Sequence, residues 1–286
     1  MTNKSKYIYP LISLLLLFLL SNGCAVEKKI EFQDLKGSWI NSMNDYFQIQ
    51  DTSSKFGNSN YVGHYGNVVN IYLELYGDTL SFQNSYYSSE TNFEKLYVEK
   101  FDFKILSLSD TFLTIKPISE HSKKLFEYRD TIKLIKQIYA VDTSIHFEKI
   151  KFHTTHCYGH CPIYHLEIDS SGNVRLHREM AYHEIKEGKY EVDSTAIGYY
   201  QGKLDQNTLS ELVSAIQTCN LNTLEFDGAD CCDGSIQTII IYYNSRRKFL
   251  QSMFPPRMAS RLIMKLLEIS EKKDLKKIDE KFQIEK

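Results

Sequence analysis

The chain has 286 residues, with 34 basic and 36 acidic side chains, a formal charge of −2 and 42% apolar content. That balance excludes a protein built around a concentrated positive surface for nucleic acid, and 24% charged with 13% aromatic residues excludes a disordered chain. Thirteen Gly and five Pro exclude collagen-like and low-complexity classes, whereas 20 Tyr and 16 Phe favour strands, because their rings suit a half-buried pleated surface.

Lys4 and Lys6 precede the apolar run Leu11 to Leu20 (LISLLLLFLL), and Ser21, Asn22 and Gly23 lead into Cys24. A helix of that length rises only about 15 Å, half the hydrocarbon thickness of a bilayer. Residues 1–23 therefore read as a cleaved signal peptide rather than a membrane span. Small residues ending in a cysteine resemble the bacterial lipoprotein signal, with the usual leucine displaced by one place to Leu20. The resemblance implies lipid on Cys24, a membrane anchor and a location in the cell envelope. Ala25, where an inner-membrane protein would carry Asp, points to the outer membrane. Two or more acyl chains hold stably, each buried methylene contributing about 0.8 kcal/mol. Residues 24–29, with Glu27, Lys28 and Lys29, form a short charged tether.

From 30 to 137 the pattern is a run of antiparallel strands. In Asn70 to Asn84, Ile71, Leu73 and Leu75 alternate with Tyr72, Glu74 and Tyr76 before a turn at Gly77-Asp78. Phe101 to Lys116 repeats the plan around Ser109-Asp110, and no helix is expected in this half. Closing such a meander into a barrel removes exposed strand edges. Gly37-Ser38-Trp39, holding the only tryptophan, heads the run and resembles the opening motif of lipocalin-like domains. That resemblance implies Gly37 and Trp39 at the closed end of the barrel and an apolar pocket for a small ligand. A barrel this short is otherwise filled by its own side chains.

Residues 144–269 change texture. Ile145 to Phe152 reads as a strand, Ile163 to Asp169 and Val174 to Arg178 as a hairpin about Ser170-Ser171-Gly172, and Ile236 to Tyr243 with Lys248 to Met253 as another. Asp205 caps a helix with Leu209, Leu212, Val213 and Ile216 on one face, and Pro255-Pro256 opens a second with Leu262, Ile263, Leu266 and Leu267 inward. The fold class is thus two domains: an all-β lipocalin-like meander or barrel, then an α+β domain with an antiparallel sheet and two helices. The tail, 270–286, reads as a solvated helical extension. Cys157-Tyr158-Gly159-His160-Cys161-Pro162-Ile163-Tyr164 resembles the hallmark of a bacterial family of exported or lipid-anchored proteins of unknown function. That resemblance covers about 145–267 and implies a fold and a compartment, but no activity.

Beyond Cys24 the chain has Cys157, Cys161, Cys219, Cys231 and Cys232. Exported thiols tend to oxidise: the Cys157–Cys161 spacing allows a bridge, Cys219 can reach Cys231 or Cys232, and the fifth cysteine stays unpaired or pairs outside the chain. Two alternatives remain open: a Zn²⁺ or copper site from His153, His156, Cys157, His160 and Cys161, or thiol–disulfide exchange at Cys157 and Cys161 aided by His156 or His160. Asp227, Asp230, Asp233 and Gly234 read as turns rather than a calcium loop, and Arg246-Arg247-Lys248 as a solvated hairpin tip. No nucleophile, metal-protease or nucleotide-binding motif occurs. The expected role is non-enzymatic and cofactor-free: a binding or interaction module on a membrane, taking a small apolar ligand or an envelope protein as partner, and no nucleic acid.

Overall fold

Period-two alternation decides both sheets. The computed structural model describes residues 30–50, 60–64, 67–70 and 72–285, the stretch 67–70 by its backbone alone. The expected leader 1–23, the expected lipidation site Cys24, the expected tether to Lys29 and Ile71 lie outside the described residues. The first sheet has nine antiparallel strands: β1 (Gly37–Ile40), β2 (Asp45–Ile49), β3 (Tyr61–His64), β4 (Asn67–Asn70), β5 (Tyr72–Tyr76), β6 (Thr79–Tyr87), β7 (Leu96–Leu108), β8 (Phe112–Pro117) and β9 (Ile132–Lys136). Their order is β4-β3-β2-β1-β9-β8-β7-β6-β5. The two edge strands are sequence neighbours. Asn70 and Tyr72 are two Cα steps apart, at most about 7.6 Å, so the sheet must curl until its edges approach each other.

The inner face of this curl is filled with rings. Phe47, Phe82, Phe103 and Phe126 are fully buried; Phe47 stands 5.1 Å from Phe103 edge-on and stacks on Phe126 at 5.4 Å. The interior is therefore the self-filled alternative rather than a ligand pocket at this cluster. Two short helices correct the expectation of none: α1 (Phe32–Leu35) and α2 (Glu120–Leu125). At α2, Ser119 caps the first turn by accepting from the Ser122 amide, and Ser122 donates to the Asp102 carbonyl at 2.8 Å. Helices of one turn or so have no amphipathic period to read.

The second sheet contains β10 (Phe147–Thr154), β11 (Ile163–Asp169), β12 (Asn173–Met180), β15 (Gly198–Lys203), β16 (Gln237–Tyr243), β17 (Arg246–Ser252) and β18 (Lys276–Ile278). It is ordered β17-β16-β10-β11-β12-β15-β18; β13 (Tyr182–Lys186) and β14 (Lys189–Val192) form a separate hairpin. One face packs Phe152, Leu166, Leu176 and Ile239 against α3 (Gln206–Gln217) and α4 (Ser260–Glu271), through Leu212, Ile216, Leu262 and Leu266. Asp205 caps α3 as expected, accepting from the Thr208 amide at 2.9 Å. Buried Arg178 donates to the carbonyls of Ser270 and Lys272, placing a cation at the negative end of α4. The tail corrects the helical reading: α4 ends at Glu271, Lys276–Ile278 adds a strand beside β15, and the chain then crosses the sheet face opposite the helices. No helix among the described residues is long and apolar enough to cross a membrane.

Both sheets belong to one compact unit beginning at Phe32. Ile40 and Tyr46 of the first pack on Met258, in the turn that leads into α4. The buried Gln137 amide donates to the Thr218 carbonyl at 3.1 Å and the Met258 carbonyl at 2.8 Å. Removing it strands two buried acceptors, so Gln137→Ala should cost about 1–3 kcal/mol. Chemical denaturation checks this; an unchanged midpoint would show that the junction does not depend on this amide.

Candidate functional site

The loop between β10 and β11 is closed by the Cys157–Cys161 disulfide. Thr154 joins its two stems, donating to the Pro162 carbonyl and accepting from the Tyr164 amide. The loop docks on residues 233–236: the Tyr158 amide donates to the Asp233 carbonyl at 3.0 Å, and Ser235 donates to the Thr155 carbonyl at 2.6 Å. Tyr158 itself is 90% exposed. His156 and His160 are exposed, the latter against the rings of Tyr182 and Tyr190.

The five-residue metal set is not assembled. Cys157 and Cys161 are bonded to each other and hold no thiolate. His153 is buried on β10 and faces His165 instead, their Nδ1 atoms 2.9 Å apart. Cys219 does not pair with Cys231 or Cys232. It is free and buried at the end of α3, its thiol directed to the Ile216 carbonyl and pushed up to about 12 by burial. Cys231 and Cys232 lie exposed, side by side, with Sγ atoms 2.7 Å apart; the hydrogen bond with Cys232 raises the Cys231 thiol.

The lesser candidates also find places. Asp227 accepts from Ser252 Oγ and from the Ala229 amide, bonds that lower its carboxyl and anchor a turn. Among the described residues, Asp227, Asp230 and Asp233 form no group able to hold a metal. Lys248 corrects the solvated-tip reading: it is partly buried, donates to the Leu221 and Asn222 carbonyls, and has its ammonium value lowered by burial. Trp39 is fully buried and donates from Nε1 to the Leu35 carbonyl at 2.7 Å. Gly37 has φ +129°, and a Cβ there would stand 2.8 Å from Lys136 Cε, so this position demands glycine.

A cleft of about 500 Å³ opens elsewhere, where the two sheets meet. Tyr46, Leu224, Phe226 and Met258 give it apolar surface, and Asp227 and Arg257 give it charge. Burial pushes the Tyr46 phenol up to about 12, keeping it a neutral donor, and its hydroxyl donates to Gln48 at 2.6 Å. The Arg257 guanidinium lies 4.0 Å over the Tyr61 ring. These residues are scattered through the chain, so no local motif announces them. The cleft can take a small amphipathic molecule, holding its apolar part on the rings and its polar end on Arg257 or the carboxylate.

The thiols make a sharp prediction, leaving Cys24 aside. In the native chain Cys231 and Cys232 should alkylate, Cys219 only on unfolding, and Cys157 and Cys161 only after reduction. Peptide mass spectrometry of alkylated protein reads this directly; fast labelling of Cys219 would contradict its burial. No curated protein matches this chain. Residues 148–253, from β10 to just past β17, match the family model described as Domain of unknown function (DUF6438).

Proposed function

We propose that this chain is a lipoprotein of the bacterial cell envelope, held at the outer membrane by lipid on Cys24. Its lipocalin-like β domain (30–137) and α+β domain (144–269) together act as a non-enzymatic binding module. The leader supports the anchor: basic residues, an apolar core too short to span, and Gly23 before the cysteine. The buried Trp39 and the curled sheet support the lipocalin-like reading. The observation that carries the binding role is the cleft of about 500 Å³ between the sheets, within the range of small-molecule sites. The ligand expected inside the barrel is assigned to this cleft, because Phe47, Phe82, Phe103 and Phe126 occupy the interior. A second reading, thiol–disulfide exchange, draws on the Cys157–Cys161 loop being hydrogen-bonded beside the exposed Cys231-Cys232 pair.

Native mass spectrometry of the full chain extracted in detergent tests the binding role. A small molecule should accompany the wild type and be lost in Glu225→Trp, which places an indole at the exposed cleft wall, and in Arg257→Ala. Empty protein in repeated preparations, or equal loading of all three, would overturn it. Labelled palmitate should enter the chain and be absent from Cys24→Ser; an unlabelled wild type would remove the anchor from the proposal.

A further inference from the structure

The histidines on the helix-free face of the second sheet meet through strand pairing. Antiparallel register sets His153 opposite His165, His165 opposite His177, and His177 opposite Tyr199. Opposed side chains on one face have Cβ atoms about 4.5–5.5 Å apart, so three imidazoles form a continuous strip. Glu179, two residues beyond His177 and at a bulge in the pairing of β11 with β12, reaches the same strip, its Oε2 2.9 Å from His165 Nε2. One donor atom from each of His165, His177 and Glu179 lies within 4.8 Å of the other two. The returning tail crosses above them. Together with Tyr199, Phe282 and Glu285 these residues line a cavity of about 380 Å³.

We propose that His165, His177 and Glu179 bind a divalent transition-metal ion, zinc fitting best, beneath a strap formed by residues 282–285. This site is separate from the cleft between the sheets. Two imidazole nitrogens and a carboxylate oxygen are donors that zinc takes at about 2.0–2.2 Å. Closed structural zinc sites use four protein ligands; three leave one position open toward the cavity, for water or a small donor molecule.

The hydrogen bonds behind the ligands suit a metal. The Glu285 carbonyl lies 3.1 Å from His153 Nε2, His153 Nδ1 lies 2.9 Å from His165 Nδ1, and His165 Nε2 lies 2.9 Å from Glu179 Oε2. Both ends of this chain are acceptors. Three hydrogen bonds need three protons, which two imidazoles supply only when one of them holds a second proton. A metal on His165 Nε2 removes that need: His165 donates from Nδ1 to His153, and His153 donates from Nε2 to the Glu285 carbonyl. Metal-bound histidines ordinarily have their second ring nitrogen held this way. The ring of His177 is fixed by stacking on Tyr199, centroids 4.2 Å and planes 4° apart. The strap is fixed by the Lys151–Glu285 ion pair at 2.8 Å and by Arg175, 4.3 Å over the Phe282 ring.

Calorimetric titration of Zn²⁺ into the full chain, purified in detergent and stripped with EDTA, tests the site. One ion should bind per chain. His177→Ala and Glu179→Gln should each weaken binding by about 100-fold or more, and the supporting His153→Ala by about 10–100-fold. Exposed His160→Ala should change nothing. Because Glu179 is exposed, its variant keeps the fold even if His177→Ala does not. Failure to bind one ion, wild-type affinity in Glu179→Gln, or an equal loss in His160→Ala would overturn the proposal.

Discussion

The alternation along the central strands of the second sheet is the constraint on which its chemistry depends. Along β10, β11 and β12 alternate residues turn to the helices, among them Ile150, Phe152, Leu166, Ile168, Val174 and Leu176. The intervening positions cannot also be oil without leaving an apolar surface uncovered. They carry Lys151, His153, His165, Arg175 and His177 instead, and these polar residues are what the tail lies on. A slip of one residue in any of these strands would send its histidine into the core and its leucine or isoleucine to the tail. Burying the apolar set on the helices therefore fixes the imidazole row as well.

Specific polar contacts join the two sheets. Gln137, immediately after β9, spends its amide on carbonyls of the second sheet's helical layer, and Asn220 donates to the Asn41 carbonyl at 2.6 Å. Asn44 and Thr223 add a reciprocal pair. At Gln137, where the bonds are buried, a shifted packing would leave carbonyls unpaired away from water. The cleft opens beside these contacts, bordered by Tyr46 and Met258.

What could be read from the sequence was local. The hairpin β16–β17 was legible because IQTIIIYY is an unbroken strand run and Asn244-Ser245 follows; both residues have positive φ, the conformation that suits a right-handed twisted hairpin. Asp205 was legible as a cap for the same reason, since its partner Thr208 is three residues away. The Cys157–Cys161 bridge spans four residues. Apart from the two helices of the first half, too short to show a period, what the sequence hid was non-local. Cys219 looked close to Cys231 along the chain, but α3 turns its sulfur into the core. Lys276-Lys277-Ile278 has no alternation to read and becomes a strand only because β15 offers an unpaired edge. The histidines of β11 and β12 join His153 through register, which no spacing rule reveals.

The tail is where these threads meet, since it covers the polar face and completes the cavity over the imidazoles. Its position is tested most directly by the nuclear Overhauser spectrum of the full chain. The rings of Phe282 and Tyr199 have centroids 5.1 Å apart, so their protons should show direct cross-peaks, with Phe282 shifted by the neighbouring ring. A Phe282 ring with no cross-peak to Tyr199 and with the shifts of a solvated side chain would contradict a tail laid across the sheet.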